Sequence, residues 1–302
     1  MAERFPGQII RKLCLNAGFT CPNIDGKVAK GGCTYCNNDG FVPERAQLKP
    51  LGDQWDKGRR YLRRRYRKVD GFIAYFQAFS NTYSSTEELQ KLYAPIPSSL
   101  EECVGMAIST RPDCLEDSCI SFLDQLGKET FLTLEMGLQT DNDEILKKVN
   151  RGHGMAEFYD AMERAAHRNF EICVHFVLGF PGEDPETPER LGKLAASLPI
   201  HSVKIHNLHI MKGTAMHQQF LKGKIEAIEK DNYLDGVQRF MAQLRPDQAA
   251  QRVIADAPDD ILSSGNWCQN KQNFLADLKI TMTHAQDKAL HIKAKDELVH
   301  SI

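Results

Sequence analysis

The sequence predicts an α/β protein: an incomplete (β/α)6 barrel of the TIM type with a C-terminal extension. Two observations predict it. Six short runs rich in β-branched and aromatic residues alternate with longer stretches of helical character. The residues of unusual chemistry fall at or just past the ends of those runs, where a barrel of parallel strands carries its function. Strand and helix in alternation require crossover connections, and crossovers make a parallel sheet.

The first run, 9–15, is followed by Cys21, Cys33 and Cys36. The second, 72–77, ends on Gln77 and leads to Ser80 and Asn81. The third, 103–109, runs into Thr110, Arg111 and Asp113, read as a strand break with Asp113 capping the next helix. The fourth, 131–137, has Glu135 and Gln139 about its end, and the fifth, 171–177, precedes Gly179 and Glu183. The sixth, 202–208, places Lys204 and His206 on one face by the two-residue period, with His209 just beyond. Helices are expected over 141–149 and 156–168. This assigns 1–220 to the barrel and 221–302 to an extension packed on it.

With 302 residues the chain can bury a core without disulfide or metal staples. Hydrophobic residues at 42% and charged residues at 26% are ordinary for a globular protein. A formal charge of −2 excludes a general polyanion binder, so any nucleic-acid surface must be local. No apolar run reaches the length of a membrane span, and the N-terminus lacks the apolar stretch of a signal peptide. Nine cysteines without such a signal point to a reducing, cytoplasmic setting, where clustered cysteines bind metal or do chemistry.

Eleven residues separate Cys21 from Cys33, and two separate Cys33 from Cys36. A two-residue gap lets neighbouring thiolates reach one iron–sulfur cluster, and three ligands on a 4Fe–4S cube leave one iron open. The competing reading is structural zinc, which ordinarily takes four protein ligands, and the spacing favours the cluster. Cys14, between two leucines, reads as a buried small hydrophobe. Cys103, Cys114, Cys119 and Cys173 read as core residues, and Cys268 as packing or part of a substrate site.

On these residues the sequence resembles the radical S-adenosylmethionine (SAM) superfamily, and within it the YhcC-like family with its wide C-x11-C-x2-C motif. It is similar in its barrel to the Elongator catalytic subunit and to oxygen-independent coproporphyrinogen dehydrogenase. The resemblance runs over 12–214 and more weakly to 271. It implies a 4Fe–4S cluster on Cys21, Cys33 and Cys36, with SAM bound at the open iron. SAM is then cleaved reductively to a 5′-deoxyadenosyl radical that takes a substrate hydrogen. It places Tyr35 against the adenine, Gln139 at the ribose, Arg151 on the SAM carboxylate and Gly179 in a turn near the adenine. Gln77, Ser80, Asn81, Thr110 and Glu135 are further cofactor contacts by this resemblance, although the Gly-rich motif of other members is absent at 77–82. Taken singly, Glu135 and Gln139 also read as polar residues at a strand end, and Gly179 to Glu183 as a tight turn.

Lys204, His206 and His209 are the candidates for acid–base work at the substrate end; as plain structural residues they read equally well. The segment 57–68 carries eight positive charges and no negative ones. Arg59, Arg60, Arg63, Arg64, Arg65 and Arg67, interleaved with Tyr61 and Tyr66, suit phosphates and stacked bases. A solvated helix face is the plainer reading. The resemblance points to tRNA, with modification of the wobble uridine C5 side chain, and to an electron donor such as flavodoxin or ferredoxin. A small metabolite is the alternative substrate, and a zinc-stabilised RNA-binding protein the alternative class.

Overall fold

The structure, a computed structural model, describes residues 4–37 and 48–284. Strand β1 (Ile10–Leu15) leads through α1 (Leu51–Arg65) to β2 (Gly71–Phe76). Helices α2 (Thr86–Tyr93) and α3 (Ile96–Ser99) return the chain to β3 (Cys103–Thr110), and α4 (Asp117–Glu129) to β4 (Phe131–Gln139). Helices α5 (Asp143–Lys148) and α6 (Met155–Ala165) precede β5 (Glu171–Leu178), and α7 (Thr187–Ser197) precedes β6 (Ser202–Asn207). Then follow β7 (Ile210–Met211), α8 (Ala215–Leu221), α9 (Lys230–Met241), β8 (Ala249–Arg252), β9 (Leu262–Ser264) and α10 (Lys271–His284).

Seven strands form one sheet in the order β1-β2-β3-β4-β5-β6-β8, and every neighbouring pair is parallel. The sheet curls into a partial barrel, as expected, but with seven strands rather than six. The seventh, β8, comes from the region read as an extension. Its four residues, Ala-Ala-Gln-Arg, form an edge strand with little apolar content, so no hydrophobic run announced it. Asp113 also departs from expectation. It pairs with Arg111 instead of capping α4, whose N-cap is Glu116.

The two faces of the sheet divide the core. All six residues of β2 are buried, because outward Phe72 meets α1 while inward Tyr75 meets the opposite wall. On α1, Trp55 and Leu62 lie seven residues apart on one face and are both buried. The Trp55 and Phe72 rings meet edge to face at 5.9 Å. Gly58 lets α1 come close to β1, since a Cβ there would sit 2.7 Å from the Leu13 side chain. Burying a side chain of this size stabilises the fold by about 1.5–3 kcal/mol. At the amino ends of the strands, Phe5 packs edge-on to Phe131 at 5.4 Å over Ile10, Ile73 and Ala107 and seals the floor. Among the described residues no helix is long and apolar enough to cross a membrane.

Candidate active site

Above the apolar floor lies a charged layer to which all seven strands contribute. Its centre is Glu135 of β4, fully buried. The carboxylate accepts from Lys12 of β1 at 2.7 Å, Tyr75 of β2 at 2.9 Å and Ser109 of β3 at 3.0 Å. His175 of β5 lies at 2.9 Å and Lys204 of β6 at 2.7 Å. Lys12 also donates to Gln251 of β8 at 2.7 Å, bridging the two open edges of the barrel. Burial by itself would raise the Glu135 pKa. The ammonium groups of Lys12 and Lys204 and the His175 hydrogen bond reverse this and hold the carboxyl well below the usual range. Burial pulls His175 down to about 4 against the pull of Glu135, so the imidazole is neutral at pH 7.

A cavity of about 720 Å³ opens above this layer at the carboxyl ends of the strands, within the range of small-molecule sites. Cys21, Cys33 and Cys36 line one side of it. Their loop is clamped from β4's side of the barrel: Asn150 Nδ2 donates to the Lys30 and Gly32 carbonyls at 3.0 and 2.8 Å, and Thr34 N donates to Val149 at 2.9 Å. Three side chains aim N–H groups at sulfur. Asn23 Nδ2 is 3.4 Å from Cys33 Sγ, Arg151 Nη1 is 3.7 Å from the same atom, and Arg111 Nη1 is 4.0 Å from Cys21 Sγ. Cys36 lines the cavity and is the exposed one of the three. Burial, then the neighbouring Cys33, pushes its thiol up to about 12. Three thiols converging on one cavity, with two guanidiniums and an amide directed at the sulfurs, fit an iron–sulfur cluster with three cysteine ligands. Buried cations offset thiolate charge, and N–H groups to sulfur are how proteins tune such clusters.

Arg151 Nη2 donates to the Gly137 carbonyl at 2.6 Å, while its Nε is buried without a partner. Gly137 leaves room for the Gln139 amide and the Arg151 guanidinium, which a Cβ there would meet at 2.6 and 2.9 Å and displace. Arg111 forms a two-armed pair with Asp113 at 2.8 and 2.7 Å and donates to the Arg151 carbonyl at 2.8 Å. Phe79, Gln139 and Asn150 have φ of 65°, 85° and 54°, a left-handed backbone that non-glycine residues rarely take. Phe79 and Gln139 line the cavity and Asn150 precedes Arg151, so three of the five such residues among those described lie at this site, the other two, Glu102 and His167, lying away from it.

The structure brings together Tyr35, Gln77, Ser80, Thr110, Glu135, Gln139, Arg151, His206 and His209 with the three cysteines on one cavity. Tyr35 meets Phe180 edge-on at 5.4 Å. The Ser80 hydroxyl and the Nε2 atoms of His206 and His209 are buried and lack a partner. Burial keeps both imidazoles neutral at pH 7; for His209 it lowers the pKa to about 4. Lys204 lies beneath the cavity and contributes through Glu135. Asn81 stands apart: its amide is consumed by the carbonyls of Phe76, Ala78 and Ser109 and braces the tips of β2 and β3. Gly179 lines a second cavity, beside Ile228, where its N–H donates to Glu183 at 2.8 Å. Burial raises Glu183 to about 7.

The arginines of α1 and just after it are not at the cavity. Arg59 pairs with Glu101 at 2.9 Å and Glu102 at 3.3 Å, and Arg63 pairs with Glu102. Glu101 and Glu102 immediately precede β3, so these arginines sit at the floor end of the barrel. Arg60, Arg64, Arg65 and Arg67 are exposed on the same turns and the loop that follows. Sequence reasoning missed Lys12, Tyr75, Arg111 and His175. Their signal was an ionisable or phenolic side chain inside or just past a run that otherwise reads as buried strand.

A curled parallel barrel with three cysteines past its first strand and a polar layer beneath them defines an iron–sulfur barrel enzyme of the radical SAM class. The radical SAM superfamily model matches residues 26–195, and the Radical_SAM C-terminal domain matches residues 200–284. The chain is 34% identical to protein YtqA of Bacillus subtilis over 91% of its length and 85% of the relative. It is 31% identical to protein YhcC of Escherichia coli K12 over 90% and 87%. A more distant likeness, 24% identity over 76% of this chain and 44% of the relative, is to the tRNA uridine(34) acetyltransferase of Methanocaldococcus infernus. The solved structure of the archaeal M. infernus Elp3 superposes with a TM-score of 0.63 at 15% identity, covering 89% of this chain and 63% of that one. The chain belongs to the radical SAM superfamily, in its YhcC-like family, and is a radical SAM enzyme; members of the superfamily use a 4Fe–4S cluster and SAM.

Proposed function

We propose that this enzyme uses SAM to modify tRNA at the C5 side chain of the wobble uridine. The observation that carries this reading is the likeness to the tRNA uridine(34) acetyltransferase. The cavity supports it, since it opens at the strand ends and runs from the cysteines down to a polar floor. A base must leave its stack to enter such a cavity, and a wobble base is already free of a pairing partner.

Cys21, Cys33 and Cys36 would hold the cluster, with Arg111 and Arg151 offsetting the thiolate charge. Bound there, a 4Fe–4S cluster would supply one-electron reduction of SAM, the electron coming from an external donor, and through it hydrogen-atom abstraction from the substrate. Tyr35 and Gln139, which line the cavity, would contact SAM. The buried Ser80 hydroxyl and the Nε2 atoms of the neutral His206 and His209 would hold polar groups of SAM or substrate, because those atoms otherwise lack a hydrogen bond. Glu135 and its five partners fix the chamber beneath without spare valence of their own.

A second reading, a small-metabolite substrate, draws support from the α1 arginines, which lie at the far end of the barrel. The experiment is anaerobic incubation of the reconstituted enzyme with SAM, dithionite and bulk tRNA, followed by mass spectrometry of the digested nucleosides. A mass change at the wobble uridine, with SAM cleavage stimulated by tRNA, is expected. SAM cleavage indifferent to tRNA, with every nucleoside unchanged, would transfer the assignment to a metabolite.

A further inference from the structure

If RNA is the substrate, as proposed above, it must approach the open end of the barrel. The arginines singled out by sequence face the other end. Strands of six residues separate the two ends by about 20 Å. Arg59 and Arg63 are moreover occupied by Glu101 and Glu102. At the open end stands a different set of cations. Lys27 and Lys30 project from the loop between Cys21 and Cys33, and Lys147 and Lys148 from the last turn of α5; all four are exposed.

The backbone joins the two pairs into one patch. Asn150 donates to the carbonyls of Lys30 and Gly32, Asn150 N donates to the Lys147 carbonyl at 3.0 Å, and Thr34 N donates to Val149. Ile24 and Gly31 of the same loop line the cavity, so the patch borders its mouth. Among the described residues none of the four lysines forms an ion pair; the acids on the same loop and helix are Asp25, Asp143 and Glu144, against four cations, and Asp143 accepts from the Met155 N–H at 2.8 Å. Asp25 is engaged by the Lys27 backbone N–H at 3.1 Å. Lys27 lies over the ring of Tyr83 at 5.2 Å, and Ile24 and Val28 are 43% and 46% exposed. Cations around an aromatic and exposed apolar side chains suit a phosphate backbone with bases laid against it.

We infer that Lys27, Lys30, Lys147 and Lys148, with Tyr83, form the surface on which the substrate RNA docks beside the cavity mouth. The α1 arginines then serve the fold and the exposed face at the floor and do not hold RNA. Phosphate contacts of this kind position the nucleic acid and give affinity without sequence information, so base selection is left to the cavity.

The test compares two variants of the full-length, cluster-loaded protein. One replaces Lys27, Lys30, Lys147 and Lys148 by Ala; the other replaces Arg63, Arg64 and Arg65 by Ala. Binding of fluorescent bulk tRNA is measured by anisotropy from 50 to 200 mM salt, with iron content and melting temperature as controls for folding. The lysine variant is expected to bind at least about tenfold more weakly, with a salt dependence shallower by about two phosphate contacts. The arginine variant is expected to stay within about twofold of the parent. Loss confined to the arginine variant overturns this inference and leaves the RNA substrate standing. No binding of tRNA by the parent protein removes the RNA substrate itself. A lysine variant that keeps tRNA but loses binding to an acidic flavodoxin overturns the inference and gives the patch to an electron donor.

Discussion

Two charged layers lie one above the other in this barrel, and they differ in whether they are complete. In the lower layer every strand sends a residue toward Glu135 or its partners, and the carboxylate is met by Lys12, Lys204, Tyr75, Ser109 and His175. In the upper layer Arg151, Ser80, His206 and His209 leave buried donors and acceptors without partners. Buried polar groups are ordinarily satisfied, so an incomplete layer marks where a ligand belongs and a complete one marks structure. The lower layer holds the seven strands in register. The upper one is built to be finished by something else.

The comparison is broken most severely at the upper layer. Cys33→Ala is expected to lower iron and acid-labile sulfide from about four per chain to near zero. Chelation of zinc, with no sulfide in the parent protein, is the outcome that removes the radical mechanism. In the lower layer, Glu135→Leu leaves Lys12 and Lys204 buried without a counter-charge and is expected to destabilise the fold by about 3–5 kcal/mol in urea unfolding. Adding Lys204→Met should recover part of that loss, and additive losses would show that the two do not act as a pair.

Arg151→Lys separates the layers more finely. A lysine lacks the fork that reaches both Gly137 and Cys33, so SAM cleavage should fall by about 10–100-fold while folding and iron content persist. An unfolded variant would place Arg151 with the structural layer.

Acid should act on both layers in a calculable direction. Burial lowers His175 and His209 to about 4 each, so above 6.5 they are neutral in folded and unfolded chains alike and contribute nothing. As pH falls below 6.5 the unfolded chain takes up protons that the fold refuses until about 4. Stability is lost at up to about 1.4 kcal/mol per pH unit for each histidine. Glu135, held below its usual value of 4.5, adds a loss as pH falls through that region and lower. Urea unfolding from pH 7 to pH 5 should show the decline, and His175→Gln should blunt it. A flat profile would mean that the histidines are not desolvated.

The sequence by itself determined the architecture and singled out the three cysteines that meet at the cavity. Apolar runs of strand length alternating with amphipathic helices leave few arrangements but a parallel barrel. The spacing of Cys21, Cys33 and Cys36 is a local property that chain geometry carries into the fold. The sequence placed six strand ends to within two residues and named the three cysteines and nine other residues that line the cavity. Three things were decided only by tertiary structure. Strand β8 is a four-residue edge whose pairing with β6 supplies what its composition lacks. The lower layer draws residues up to 239 positions apart, such as Lys12 and Gln251, and no local pattern records that distance. The basic stretch 57–68 is conspicuous in the sequence, yet α1 runs antiparallel to β1 and carries those charges to the floor of the barrel. Local chemistry is written in neighbouring residues, but which end of a barrel a charge faces depends on where its helix stops, and the packing of the sheet fixes that.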